Sequence, residues 1–288
     1  MKKYFALCAA ALALCAMSCT KDNNQDGNND ANKKQEITVA KDALVAYLPF
    51  ESEEVAVGGL TLADKGNTSE ANFVAGRNGK SFTGGENQYL LYNLSEDSPI
   101  KTLKAFTLSA WIKQPEIPYS QAPVPMYFQI TNSDNHFWGN LSLSIDRTDE
   151  GAGYLTYKTC FRHSDAPEFW KAWNGDYAEC YPAGRWNHLI FAYDNVTSEY
   201  HVYVNGADVT PETAVTCKIG ENPTGDLTFS NAEQIAIGVW MPRLLDGAQD
   251  EWMGWLDGGQ IDELRLYSRA LSTEEADALY KAEIANID

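Results

Sequence analysis

Between residues 184 and 206 the chain alternates with a period of two. Trp186, His188, Ile190 and Ala192 fall on one side of an extended strand, and Asn187, Leu189, Phe191 and Tyr193 on the other. This strand is therefore apolar on both faces. A polar run at 194–198 turns the chain, and Tyr200, Val202 and Val204 then alternate with His201 and Tyr203 up to Asn205-Gly206, a pair that accepts the positive φ of a tight turn. Two long strands back to back predict an antiparallel all-β core.

The same periodicity predicts strands at 44–50, 81–93 (broken by a glycine turn), 106–113, 126–131, 141–146, 154–161, 226–230, 234–240 and 260–267, with loop from 51 to 79. In the first of these, Leu44, Ala46, Leu48 and Phe50 share a face. In the 106–113 strand, Phe106, Leu108, Ala110 and Ile112 face the core, and Trp111 lies on the opposite face, where a neighbouring loop covers it. Pro115, Pro118, Pro123 and Pro125 make the following connection irregular. One helix is predicted from Ser272, where Glu275 completes a capping box and Ala276, Leu279, Tyr280 and Ile284 form the apolar stripe.

Four segments in order, FTLSAWIK, the hairpin GRWNHLIFAYDNVTSEYHVYVNG, QIAIGV and GQIDELRLYSRAL, resemble the laminin-G-like, concanavalin A-like jelly rolls. The resemblance covers most of 43–280. It implies an all-β, two-sheet antiparallel jelly-roll sandwich with a short C-terminal helix. It fixes no ligand, because this fold carries sugar binders, protein binders and glycosidases alike.

The N-terminus reads as an address. Lys2 and Lys3 precede an apolar run at 4–17, too short to span a bilayer as a helix. Its end, Ala16-Met17-Ser18-Cys19, resembles a bacterial lipoprotein signal, which implies cleavage after residue 18 and lipidation of Cys19; an ordinary cleaved secretion signal is the alternative. Residues 19–36 are polar and form a flexible tether with a reach of roughly 20 to 25 Å. The jelly roll occupies 37–288, held at the cell envelope by an outer-membrane lipid anchor, on the surface or periplasmic side.

Acidic residues outnumber basic ones 40 to 22, a net charge of −18, which argues against nucleic acid and against anionic membrane surfaces except through the anchor. An exported compartment permits disulfides, and Cys160 and Cys180 bracket one loop. The alternative is that these two and Cys217 are small buried apolar residues.

No E-x-D-x-x-E run of the laminarinase type and no G-x-S-x-G elbow occurs, so the expectation is a non-catalytic protein. His188 and His201 read as hydrogen-bonded strand residues. Asp262 shares a strand parity with Leu264 and Leu266, which places its carboxylate inward. The resemblance suggests a structural calcium held by Asp262 and Glu51; the alternative is that Asp262 caps backbone amides or pairs with Arg265 or Arg269. Aromatic residues outside the predicted strands offer rings for a pyranose to stack on. The candidate site is Trp170, Trp173, Trp252 and Trp255 with Asp176 as a polar contact, and the partner is a glycan or, alternatively, a surface protein.

Overall fold

In the computed structural model, residues 36–118, 123–135, 137–162, 170–174, 182–210, 216–219, 221–245 and 252–287 are described. In chain order the strands are β1 (Leu44–Leu48), β2 (Thr61–Gly66), β3 (Phe73–Ala75), β4 (Lys80–Phe82), β5 (Gln88–Asn93), β6 (Phe106–Lys113), β7 (Val124–Asn132), β8 (Leu141–Asp146) and β9 (Thr156–Arg162). They continue with β10 (Trp170–Asn174), β11 (Trp186–Asp194), β12 (Glu199–Val204), β13 (Ala207–Asp208), β14 (Lys218–Ile219), β15 (Asn222–Pro223), β16 (Ala232–Ile237), β17 (Met253–Gly254) and β18 (Gln260–Tyr267). The helix α1 spans Thr273–Ala285.

Two sheets face each other. The first runs β13-β12-β11-β6-β18-β4-β3, with β1 also pairing β18; the second runs β10-β9-β8-β7-β16-β5-β2, with the short β17 running parallel to the start of β7. Leu189, Phe191, Tyr193, Tyr200, Val202 and Val204 from the central hairpin enter the core between the sheets. Phe106 of the first sheet meets Phe161 of the second edge to face at 5.3 Å.

The other face of β11 is apolar because α1 covers it. Ala276 and Leu279 pack on Ile190, Ala192, Tyr203 and Tyr267. Ser272 caps the helix and Glu275 returns the bond to complete the capping box. Trp111 does face away from the core, and both a loop and α1 cover it: the Arg77 guanidinium of the β3–β4 loop lies 4.7 Å from its ring centroid, its indole nitrogen donates to Glu283, and Tyr280 lies 6.0 Å from its ring. Glu283, not Ile284, is the residue that turns inward; Ile284 is 38 % exposed. The buried carboxylate is paid for by Arg265, which donates to both Glu283 and Glu263, while the Tyr47 hydroxyl donates to Glu263 at 2.7 Å.

Several expectations need correction. Residues 226–229 form no strand: Leu227 and Phe229 are buried, but Leu227 is tied in by donating to the Lys104 carbonyl instead of by a ladder. The stretch 51–79 contains β2, whose polar residues hide the alternation, and β3, three residues long and too short to show one. In β1 a register shift between Leu44 and Ala46 moves Leu44 to the α1 side, away from Ala46, Leu48 and Phe50. Trp170 and Trp173, expected in a loop, belong to β10, where they pair in register with Arg162 and Thr159. Aromatic residues favour strands, and this one covers the edge that β9 would otherwise leave open.

Candidate functional site

A cleft of about 430 Å³ opens where three connections meet at one end of the sandwich. The segment after β6 contributes Gln114, Pro115, Glu116, Ile117 and Pro118, and the start of β7 contributes Pro123 and Pro125. Glu86 comes from the β4–β5 turn, and Trp255 and Asp257 from the segment between β17 and β18. Proline has no N–H for a ladder, so these segments leave the sheets and line a wall instead. A backbone bridge between Gly84 and Asp257 holds the Glu86 turn against the Trp255 segment. The volume falls within the roughly 300–1,000 Å³ of small-ligand sites.

Trp255 is held by two neighbours. Its ring stacks on Tyr89 at 6.3 Å with the planes 10° apart, and the Arg243 guanidinium lies 4.9 Å from its centroid. Arg243 is itself fixed by donating to the Met253 carbonyl, and the Tyr89 hydroxyl by donating to Asp64 at 2.6 Å. At the cleft floor, Gln114 accepts from the Tyr127 hydroxyl. Gly259 is needed beside that bond, because a Cβ there would lie 2.2 Å from the Gln114 side-chain oxygen. Glu116 accepts from the Gly153 amide, while Glu86 and Asp257 are exposed to solvent.

The tryptophans singled out in the sequence are not all brought together. Trp255 lines the cleft. Trp252, at the other end of β17, is built into an apolar layer on the outside of the second sheet, 5.0 Å from Trp240 and 5.6 Å from Phe137. Trp170 and Trp173 lie on β10, separated from β7 by β8 and β9. Asp176 lies outside the described residues, as do Cys19 and Cys180. Cys160 is a free, buried thiol, its ionisation pushed up to about 12 by burial. Sequence reasoning missed Glu86, Gln114, Glu116 and Asp257; the signal was the clustering of proline and glycine around them, which marks chain that leaves a sheet.

The two acids expected to hold calcium converge on one turn. Asp262 is fully buried, and its Oδ2 accepts from the amides of Arg77 and Asn78 at 2.8 and 2.9 Å. Its Oδ1 and the Asn78 side-chain oxygen are buried without a hydrogen-bond partner. Glu51 accepts from the Lys80 amide at 3.2 Å and passes so close to Gly79, whose φ is +78°, that a Cβ there would lie 2.1 Å from its Oε1. Amide capping of Asp262 is thus realised, whereas Arg265 pairs with Glu263 and Glu283, and Arg269 with Glu275. Asp262 does not point inward with Leu264 and Leu266. A bulge at Glu263, with φ +51°, shifts the alternation, so Ile261 and Leu264 face the core and Asp262 faces outward under the 76–80 turn. Burial pushes its carboxyl up to about 8. Among the described residues no three His, Cys, Asp or Glu are grouped so as to hold a metal ion by themselves, so an ion here would need amide and carbonyl oxygens beside the carboxylates. Two orphaned oxygens and a neighbouring carboxylate are a donor set suited to a hard cation such as calcium.

His188 is buried and neutral, its basicity pushed down to about 3 by burial, and it shares a 2.9 Å hydrogen bond with Ser109. His201 pairs with Asp208 at 2.9 Å. Both are strand residues engaged with neighbours, as expected.

The sequence model of the family described as the concanavalin A-like lectin/glucanases superfamily matches residues 83–277. No curated protein sequence matches the chain. Among solved structures, the botulinum neurotoxin serotype D binding domain is similar at 16 % identity and a TM-score of 0.56, over 84 % of this chain and 52 % of that one. The binding domain of Paraclostridial Mosquitocidal Protein 1 gives the same identity, TM-score and coverages. The receptor binding domain of botulinum neurotoxin mosaic serotype C/D is similar at 14 % identity and a TM-score of 0.57, over 84 % of this chain and 51 % of that one. The chain spans about half the length of these structures, and at such identities the likeness is one of fold.

Proposed function

Given that the chain belongs to the concanavalin A-like lectin/glucanase superfamily, with a lectin-like jelly-roll binding domain, we propose that it is a non-catalytic glycan-binding protein. The observation that carries this reading is the cleft: one aromatic ring, Trp255, held in place by Tyr89 and Arg243, with Gln114, Glu86, Glu116 and Asp257 beside it. A pyranose presents an apolar face to such a ring and hydroxyls to the surrounding carboxylates and amide. In this reading a lipid on Cys19 and the 19–36 tether present the domain from the outer membrane, and calcium at Asp262, Asn78 and Glu51 fixes the 76–80 turn as a structural ion.

Hydrolysis is the second reading, because three carboxylates line the cleft. Glu86 and Asp257 face water and Glu116 is engaged with the Gly153 amide, an arrangement that sets no buried acid aside as proton donor. Glycan-array binding by the 36–288 domain, in calcium and in chelator, tests the proposal. Binding without release of reducing ends supports it, with Trp255→Ala weakening binding at least tenfold while the domain stays folded. Release of reducing ends would establish the enzyme, and no binding to any glycan would redirect the search to a protein partner.

A further inference from the structure

The charge around the cleft is one-sided. Among the described residues, its lining carries Glu86, Glu116 and Asp257 and no lysine, arginine or histidine. Arg243, over the Trp255 ring, is already engaged: its guanidinium donates to the Met253 carbonyl. These carboxylates come from three separate connections that meet only in the folded chain, and the bridge between Gly84 and Asp257 fixes two of those connections side by side. The cleft is also more than an acidic patch. Trp255 gives it a stacking surface, and Pro115, Pro118, Pro123, Pro125 and Ile117 give it an apolar wall. The net charge of the chain, −18, adds a field of the same sign.

We infer that this cleft selects glycans bearing free amino groups, that is, cationic amino sugars, over neutral sugars, and rejects uronic, sialic and sulfated ones. The inference rests on the glycan reading above and adds a ligand class to it. A protonated amine on a stacked ring sits within reach of carboxylates that accept charge-assisted hydrogen bonds, and it gains further from the face of Trp255. An acetamide at the same position keeps the stacking and loses the charge. A carboxylate or sulfate would meet the like charge of these carboxylates, and like-charge juxtaposition is an effective device for rejecting a ligand.

The test uses three oligosaccharide classes of matched length against the 36–288 domain: glucosamine oligomers, N-acetylglucosamine oligomers and oligogalacturonate. Calorimetry is done at low salt and at mildly acidic pH, where the glucosamine amines are charged. The expected order is glucosamine tightest, N-acetylglucosamine at least tenfold weaker, and oligogalacturonate without measurable binding. The preference for the amine should shrink with added salt. In the triple variant Glu86→Gln, Glu116→Gln, Asp257→Asn, glucosamine should fall to the affinity of the acetylated oligomer, while the acetylated oligomer itself still binds through Trp255. Equal affinities in the wild type, or tighter binding of oligogalacturonate, would overturn the inference and leave glycan binding standing. Binding of none of the three, nor of any array glycan, would overturn both. A preference for glucosamine that persists undiminished in the triple variant would assign the selectivity to another part of the surface and overturn it as well. Thermal melting of the variant guards against misfolding, and because Glu86 and Asp257 are exposed, their neutral isosteres leave packing alone.

Discussion

At the residue scale, Asp262 and His188 are ionisable groups that the fold holds in their uncharged forms by burial, and they give opposite pH signatures. Asp262 keeps its proton up to about 8 in the folded chain and near 3.8 when unfolded. Without a cation, its stabilising contribution is therefore present below about pH 4 and is lost as pH rises through 8. In chelator, raising the pH from 5 to 8 should lower the melting temperature, and Asp262→Asn should remove that component. Calcium at 100 times its dissociation constant should restore about 2.7 kcal/mol to the wild type at pH 8 and nothing to Asp262→Asn; a wild type indifferent to calcium would remove the ion from the account. His188 has the reverse sign: depressed to about 3 from 6.5, it leaves the unfolded chain holding the extra proton, so stability falls on acidification. Between pH 7 and 5 the wild type should lose about 2 kcal/mol relative to His188→Gln in urea titrations. The role of His188 was legible from its place on a strand. The facing of Asp262 was not, because a strict period of two cannot register a bulge whose extra residue is Glu263, an ordinary glutamate at φ +51°.

At the scale of elements, α1 is attached to the first sheet by two different kinds of contact. Ala276 and Leu279 supply an apolar seat, and Glu283 reaches Arg265, Trp111 and the neighbourhood of His188 in a layer where no solvent penetrates. Glu283→Ala would leave the Arg265 guanidinium buried beside a single remaining carboxylate, Glu263, and should cost about 3–5 kcal/mol. Replacing both, as Arg265→Met with Glu283→Leu, should cost much less than that single change, since no uncompensated charge remains; urea denaturation of the two variants separates the cases. That β11 is apolar on both faces was evidence in the sequence for a second covering element, and α1 is that element. The pattern could not show that an acid on α1 would face the sheet. Glu283 reads as a solvent residue until its partner Arg265, on the strand just before α1, is known to face the helix. β10 was obscured in another way: two tryptophans in an irregular excursion look like exposed loop aromatics unless the open edge of β9 is taken into account.

At the scale of the molecule, the jelly roll is a frame whose connections make the site. Most of the strands and the two-sheet sandwich could be read from alternation and from four segments that resemble the family, because each depends on local periodicity. The cleft could not, because Glu86, Glu116, Trp255 and Asp257 come from separate turns and share no local pattern. Of the eight tryptophans in the chain, the account assigns the central contact to Trp255. The most direct test is to follow the indole N–H resonances during titration with a glucosamine oligomer, assigning Trp255 by the loss of its signal in Trp255→Phe. The account predicts that the Trp255 resonance moves with the binding isotherm while those of Trp240 and Trp252, held in the apolar layer, stay in place. Binding that shifts Trp252, Trp170 or Trp173 and leaves Trp255 unmoved would contradict it.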